Sequence, residues 1–542
     1  MANQVENQKT FSKIQKFNYK DLIIFLIPVI IFSFYLYIYN PGILTFDSFN
    51  QLHQIATGEY TNWHPFFHTF IEMILLKIYA SPVIIGIAQI LTFSIIWMFI
   101  CNYFRKDYVN TNLKSITEDR QFILQVIVTL IISAIPINAI YAITLWKDIF
   151  FGYFLLLLCF LIKVLVDEKG DVSLKFIILL SAVMAVVSQI RPNGIYIILP
   201  LIIVFAYYLY KNNNSENFFI KMPVLAIIFI LLIASLNIVY DVEDTQKDAV
   251  FAKTTHMLAN YDLHHMLSAE DSAKLHEMIN ETTIKENYNS FFTDPIRNTA
   301  NQDVYDNNKA TYLGMAVSYS LKNPIHFIKY MLGSSEITWD ITRDSYWQGK
   351  PYYLYEDGAR LENTKDNYFK AFHTSQAASF EDVTCANEGT AQYNLVNSFV
   401  YNARTNIVLD TLFNSPALYM YLAFLAMAGI YILTRSKDIL LVYLPNLLNI
   451  LVVFVSIPVQ DNRYLYPNLL VFYLLIIILI GILTGRTSQN NNSPTNAAPI
   501  SEAETNIYDA IEQELERAET PEEMEARIRA KVLRELEEEN RK

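Results

Sequence analysis

Apolar residues gather in ten runs close to bilayer length: 22–39, 82–101, 121–143, 149–166, 175–190, 195–210, 222–240, 417–433, 439–456 and 469–484. None alternates strictly between apolar and polar positions. A lipid-exposed segment must also satisfy its own backbone, so each run is expected to be a helix. An eleventh run, 66–80, is shorter and carries His68, Glu72 and Lys77. Lysines at 9, 13, 16 and 20 precede the first run and place its start in the cytoplasm. Were 66–80 to cross, the loop with Arg105, Lys106, Lys114 and Arg120 would face outward. As a juxtamembrane helix, 66–80 keeps that loop inside with Lys169/Lys175, Lys211/Lys221 and Arg435/Lys437.

The expected fold is therefore an all-α polytopic membrane protein of about ten transmembrane helices plus a juxtamembrane helix. It is a multi-pass protein of the cell membrane with cytoplasmic N- and C-termini. A cytoplasmic N-terminus (1–21) leads into an N-terminal transmembrane module (22–240) whose first outer loop is 40–81. The segment 241–416 holds 24 acids against 14 bases, with helical periodicity around His256–Ile279 and loop-like composition over 345–358. It is expected to form a mixed extracytoplasmic domain. C-terminal transmembrane helices (417–484) precede a linker and acidic segment (485–519), whose Asn, Ser and Pro residues favour disorder. Thr520-Pro521-Glu522-Glu523 is a capping box that opens an amphipathic cytoplasmic helix (520–542). Its stripe of Met524, Ile528, Val532 and Leu536 could dock a cytoplasmic partner, though a solvated helix explains it as well.

Composition narrows the class. The 542 residues are 53% hydrophobic with only 14 glycines, which suits packed spans better than a water-filled channel. The net charge of −12 lies in 241–416 and the tail, and no basic stripe marks a nucleic-acid partner. Three cysteines, Cys101, Cys159 and Cys385, exclude a disulfide framework; the first two read as apolar filling. The first apolar run is long enough to span, so it reads as an anchor and not as a cleaved signal.

The outer loops collect charge. Asp47, Glu59 and His64 come from the first, and Lys147 and Asp148 open the span at 149. Arg191 precedes Pro192-Asn193-Gly194, and Asp461, Arg463, Tyr464 and Tyr466 come from the last loop. Singly, each reads as a snorkelling side chain or a weak surface pair. Together they suit chemistry on a lipid phosphate. Arg and Lys can neutralise the phosphate as it leaves, and a carboxylate can accept the proton of an attacking hydroxyl.

In these residues the chain resembles the GT-C superfamily of polytopic glycosyltransferases, in particular the branch of protein O-mannosyltransferases and lipid A aminoarabinose transferases. The similar features are Asp47 followed by His64-Pro65, Asp148 in TLWKDIFFGYFLLLLCFL, QIRPNGIYIILP, and Arg463-Tyr464-Leu465-Tyr466-Pro467. The chain departs from the pattern at His64-Pro65-Phe66, which lacks a second proline, and at Asp47-Ser48, which lacks a second acid. The resemblance implies a polyprenyl-phosphate sugar donor and a cell-envelope glycan, lipid or protein as acceptor, with the bilayer as medium. It implies Asp47 as catalytic base and Asp148 as a second site acid positioning the acceptor or a metal. Lys147, Arg191 and Arg463 would contact the phosphate and His64 would shape the pocket, with Glu59, Asn193, Asp461 and Tyr464 as further substrate-binding candidates. No cofactor is assigned, and the acid pair leaves room for a divalent cation.

Two rival functions remain. A transporter or flippase of lipid-linked sugars predicts charges within spans and inverted repeats, of which the sequence has few and none respectively. A non-catalytic cell-envelope scaffold would act through the tail helix and the outer domain. His256, His264, His265 and His276 read as packing histidines, since adjacent histidines point apart on a helix. The aromatics Trp339, Tyr346, Trp347, Tyr352, Tyr353 and Tyr355 fit a sugar-stacking surface or a domain core equally.

Overall fold

Lipid leaves the backbone of a span no partner but itself, and the ten apolar runs do fold as helices. The structure, a computed structural model, describes residues 17–106, 114–212, 217–244, 248–341, 387–456 and 460–485. Cys385, the aromatics between 346 and 355, the lysines at 9, 13 and 16, and the linker and tail from 486 lie outside the described residues.

Helix α1 (Tyr19–Ile38) is followed by two loop helices, α2 (Phe46–Thr57) and α3 (Phe66–Ile78). Then come α4 (Val83–Lys106), α5 (Lys114–Ala134), α6 (Pro136–Ala142), α7 (Lys147–Asp167), α8 (Leu174–Ile190), α9 (Gly194–Asn212) and α10 (Phe218–Val239). The segment beyond is built from α11 (Asp248–Leu263), α12 (Ala269–Met278), α13 (Glu281–Asn287), α14 (Asp294–Thr299), α15 (Gln302–Asn307), α16 (Lys309–Lys322) and α17 (Pro324–Ser334). After α18 (Ala391–Thr405) and α19 (Ile407–Asn414), the chain ends its described part in α20 (Pro416–Thr434), α21 (Ile439–Ser456) and α22 (Tyr466–Gly485).

Eight helices are long and apolar enough to span: α1, α4, α7, α9, α10, α20, α21 and α22 with its leading 3₁₀ turn. Two of the ten expected spans differ. The run 121–143 is broken into α5 and α6, which meet at 72°. Pro136 opens α6, and its ring and missing N–H prevent α5 from continuing. The run 175–190 folds as one helix, α8, which at 17 residues is shorter than those eight and is followed directly by Arg191 and Pro192. Helix α3 has 13 residues, roughly 20 Å at 1.5 Å per residue, too short for a hydrocarbon core of about 30 Å. Among its described residues, 241–416 is helical and not mixed. Side chains of Ser268, Asn280 and Asn301 cap the short helices α12, α13 and α15; α12 falls within the stretch His256–Ile279 whose periodicity is helical, and 345–358 lies outside the described residues.

Helix α7 is the axis of the bundle. It is 83% buried, against 17% for α10, and packs on α4, α8, α21 and α22. Polar contacts sort the connections into two sets at opposite ends of the spans. At one end Lys20 pairs with Asp119 at 2.7 Å, Arg105 pairs with Asp21 at 2.7 Å, and Tyr103 donates to Asp167 at 3.0 Å. At the other meet the loop 40–81, residues 144–148, Arg191, Glu243 and the loop 460–463. This is the alternation expected if α3 does not cross. The helices after α10 have their own apolar core, with Leu258, Tyr261, Leu275, Ile284, Ile296 and Tyr305 buried in it. Gln460 anchors them to the second end: its Nε2 donates to Gly333 C=O at 2.8 Å, and its Oε1 accepts from Ile337 N–H at 2.7 Å.

Candidate active site

A short backbone bridge aligns the two acidic segments. Ile43 N–H donates to Ile143 C=O at 2.9 Å, and Leu145 N–H returns to Ile43 C=O at 3.0 Å. Gly42 makes this approach feasible: its φ is +122°, and a Cβ there would sit 3.0 Å from Ile143 O. Ser48 Oγ then donates to Leu145 C=O at 2.7 Å, and Trp146 Nε1 donates to Thr45 Oγ1 at 2.5 Å. Asp47 thus starts α2 beside Lys147 and Asp148 at the start of α7. Both acids lie in first turns, where the helix dipole favours negative charge.

The chain's last loop completes the cluster. Arg463 Nη1 meets Asp47 Oδ2 at 2.7 Å, while its Nε lies 3.2 Å from Asp461 Oδ2 and 3.9 Å from Asp148 Oδ2. Its guanidinium sits over the Trp146 ring, 4.6 Å from the centroid. Lys147 Nζ lies 3.3 Å from Asp47 Oδ2 and 3.0 Å from His64 Nδ1. An ammonium only donates, so Nδ1 accepts and the ring proton sits on Nε2, 3.9 Å from Asp47 Oδ1. Arg191 Nε meets Asp148 Oδ1 at 3.2 Å, Arg191 Nη1 donates to Tyr464 C=O at 3.2 Å, and the guanidinium lies 4.6 Å from the Tyr464 ring centre. Arg191 is held there by the tight turn into α9, where a Cβ on Gly194 would fall 2.1 Å from Val187 O.

Of the sequence candidates, Asp47, His64, Lys147, Asp148, Arg191, Asp461, Arg463 and Tyr464 therefore converge. Glu59 does not; it is exposed just past Gly58, which ends α2. Asn193 also stands apart, donating to Ser456 Oγ at 3.1 Å. Three carboxylates face three cations. Asp148 is fully buried, whereas the Asp47 side chain retains 21% of its exposure, so the cluster opens to its surroundings at Asp47.

Other residues escaped the sequence reading. Behind His64, buried His68 Nδ1 lies 3.7 Å from Glu72 Oε1 and 2.9 Å from Gln51 Nε2. The i,i+4 spacing of His68 and Glu72 in an apolar helix was the available signal. Helix α14 and the turn before it approach from the other side: Arg297 lies over the Trp63 ring at 4.9 Å, and Phe291 C=O in that turn accepts from Gln460 N–H at 3.2 Å. No local pattern marks that contact, because it joins segments far apart in sequence.

Burial opposes ionisation of Asp47, but Arg463, Lys147 and His64 outweigh it and hold the carboxyl well below the usual carboxylate range. Burial and Lys147 push His64 down to about 3, and the same two causes push His68 to about 3. Burial holds His256 at about 4. Burial keeps the Glu72 carboxyl protonated well above its ordinary range. A histidine neutral in the fold but protonated in the unfolded chain supports the fold fully above about pH 6.5 and loses that support as pH falls. Glu72 acts in the opposite sense, as do Asp294 and Asp461, whose carboxyls burial also raises, while burial lowers His326 alongside the other histidines. Thermal unfolding in detergent should therefore show Tm falling as pH drops from 6.5 toward 4.5, less steeply in His68→Gln. A flat profile in that window contradicts these protonation states.

The donor set does not fit a divalent ion. Among the described residues no three His, Cys, Asp or Glu side chains converge to hold a metal, and the site carboxylates already face Arg and Lys nitrogens. His256, His264 and His276 take partners from their neighbours: the Tyr330 hydroxyl, the Asn260 carbonyl and the Asp262 carboxylate. Fold and site define a polytopic, all-helical membrane protein with a buried charge cluster at one end of its spans. No protein-family model, curated protein or solved structure matches the chain.

Proposed function

We propose that the chain is a membrane glycosyltransferase that moves a sugar from a polyprenyl-phosphate donor to a cell-envelope acceptor at the outer face, with inversion. The observation supporting this reading is Asp47, partly open, in contact with Arg463 at 2.7 Å and Lys147 at 3.3 Å. Held between these cations, Asp47 is a weak base. The single negative charge of the donor's phosphodiester attracts both cations, and Asp47 regains proton affinity as they turn to it. The acceptor hydroxyl gives its proton to Asp47, and its oxygen bonds to the anomeric carbon as the C1–O bond to phosphate breaks. The bonding pair leaves on polyprenyl phosphate, whose second negative charge Arg463 and Lys147 stabilise. Asp148 holds Arg191 and the flank of Arg463 in place, and neutral His64 orients Lys147.

The test uses purified full-length protein in liposomes, a polyprenyl-phosphate donor carrying a radiolabelled sugar, and a cell-envelope fraction. The expected result is label in the acceptor with equimolar release of polyprenyl phosphate. Donor that crosses the liposome with its glycosyl–phosphate bond intact would instead establish a transporter.

A further inference from the structure

Large apolar side chains between 251 and 316 are all at least partly hidden, as in a helical domain facing water. The next two helices break that habit. Val317, Leu321, Ile325, Ile328 and Leu332 stand 39–77% exposed, spaced by three or four residues across α16 and α17. That spacing gives each helix an apolar stripe: Val317 and Leu321 share one face of α16, and Ile325, Ile328 and Leu332 share one face of α17, with Asn323 between the two helices. Exposed Lys322 and Lys329 each follow a stripe residue and so lie along its flank. Exposed apolar residues in a row with lysines at their edge characterise a helix lying in a membrane surface.

The stripe also joins the lipid-facing surface of the spans. Trp339, 39% exposed, closes the 3₁₀ turn Glu336–Thr338 that follows α17, and its Nε1 donates to Leu332 C=O at 2.9 Å. Its own carbonyl accepts from the hydroxyl of Tyr421 at 2.9 Å. Tyr421 lies in the second turn of span α20 with its side chain exposed. A Trp and a Tyr bonded together at the mouth of a span mark headgroup depth. The bonds from Gln460 to Gly333 and Ile337 place this depth at the end of the bundle that carries the Asp47 cluster.

We infer that α16 and α17 lie in the bilayer surface beside α20, their stripe in the acyl boundary and Lys322 and Lys329 among anionic headgroups. The water-facing helices α11–α15 are then held by α16 and α17 against the leaflet, on the side of the charge cluster. The stripe would enter about 5–10 Å below the headgroups.

Site-directed fluorescence tests this without any turnover. Cys101 and Cys159 are fully buried; Cys385 is replaced by Ser. Bimane is attached to Leu321→Cys, Ile328→Cys and, as a water-facing control, Glu270→Cys, in full-length protein in nanodiscs containing phosphatidylglycerol. Both stripe labels should lose emission to doxyl-labelled phosphatidylcholine and resist iodide, and the control should do the reverse. Iodide quenching at 321 and 328 equal to the control overturns the inference. Protection from both quenchers also overturns it, since protein and not lipid would then cover the stripe.

Discussion

On the proposed reaction, replacing Asp47 by Asn should lower sugar transfer by about 10²–10⁴-fold, the usual range for losing a general base. Asparagine keeps the shape of the side chain and its place at the start of α2 but cannot take a proton. It also frees Arg463 and Lys147 from their shared anion at 2.7 and 3.3 Å. Donor binding should therefore hold or tighten while turnover collapses, a split that separates base removal from unfolding. Initial rates and donor affinity measured on the same preparation decide it. Turnover near that of the wild type would remove Asp47 from the mechanism.

Asp148→Asn is expected to destabilise the protein by about 3–5 kcal/mol, the range for removing one partner of a buried ion pair. The Asp148 side chain is fully buried and that of Arg191 is 5% exposed, so water cannot take over the lost contact. Arg191 stays packed over Tyr464 and Phe151, at 4.6 and 5.3 Å, and cannot swing into solvent. The double variant Asp148→Asn/Arg191→Met should recover much of the loss, because neither charge then remains unpaired. Thermal unfolding of the four proteins in one detergent reads the coupling. A single variant within 1 kcal/mol of wild type, on the order of a surface change, would mean that the pair is hydrated.

Membrane character, helical class and loop partition were legible in the sequence because each depends on local quantities. Twenty apolar residues cannot leave lipid as anything but a helix, and lysines near span ends fix which loops lie together. The short run with His68, Glu72 and Lys77 was kept out of the span set on its length and charge, and α3 is not among the helices long and apolar enough to span. Most candidate site residues could be named on the same basis: a charge in a short loop beside a span needs a partner, and the loops on one side can supply it.

Local pattern could not decide who pairs with whom. Asp47 and Arg463 are separated by most of the chain, and their contact exists because α22 packs on α7. Glu59 and Asn193 satisfied the same sequence criteria as the cluster residues, yet α2 ends before Glu59 and the turn at Arg191 points Asn193 toward Ser456. The break at Pro136 and the helical build of the segment after α10 were also decided by packing. Hydrophobicity and charge act through each residue's own transfer between water and lipid, so they can be read along the chain. Ion-pair geometry depends on distances between helices, which exist only once the bundle has closed.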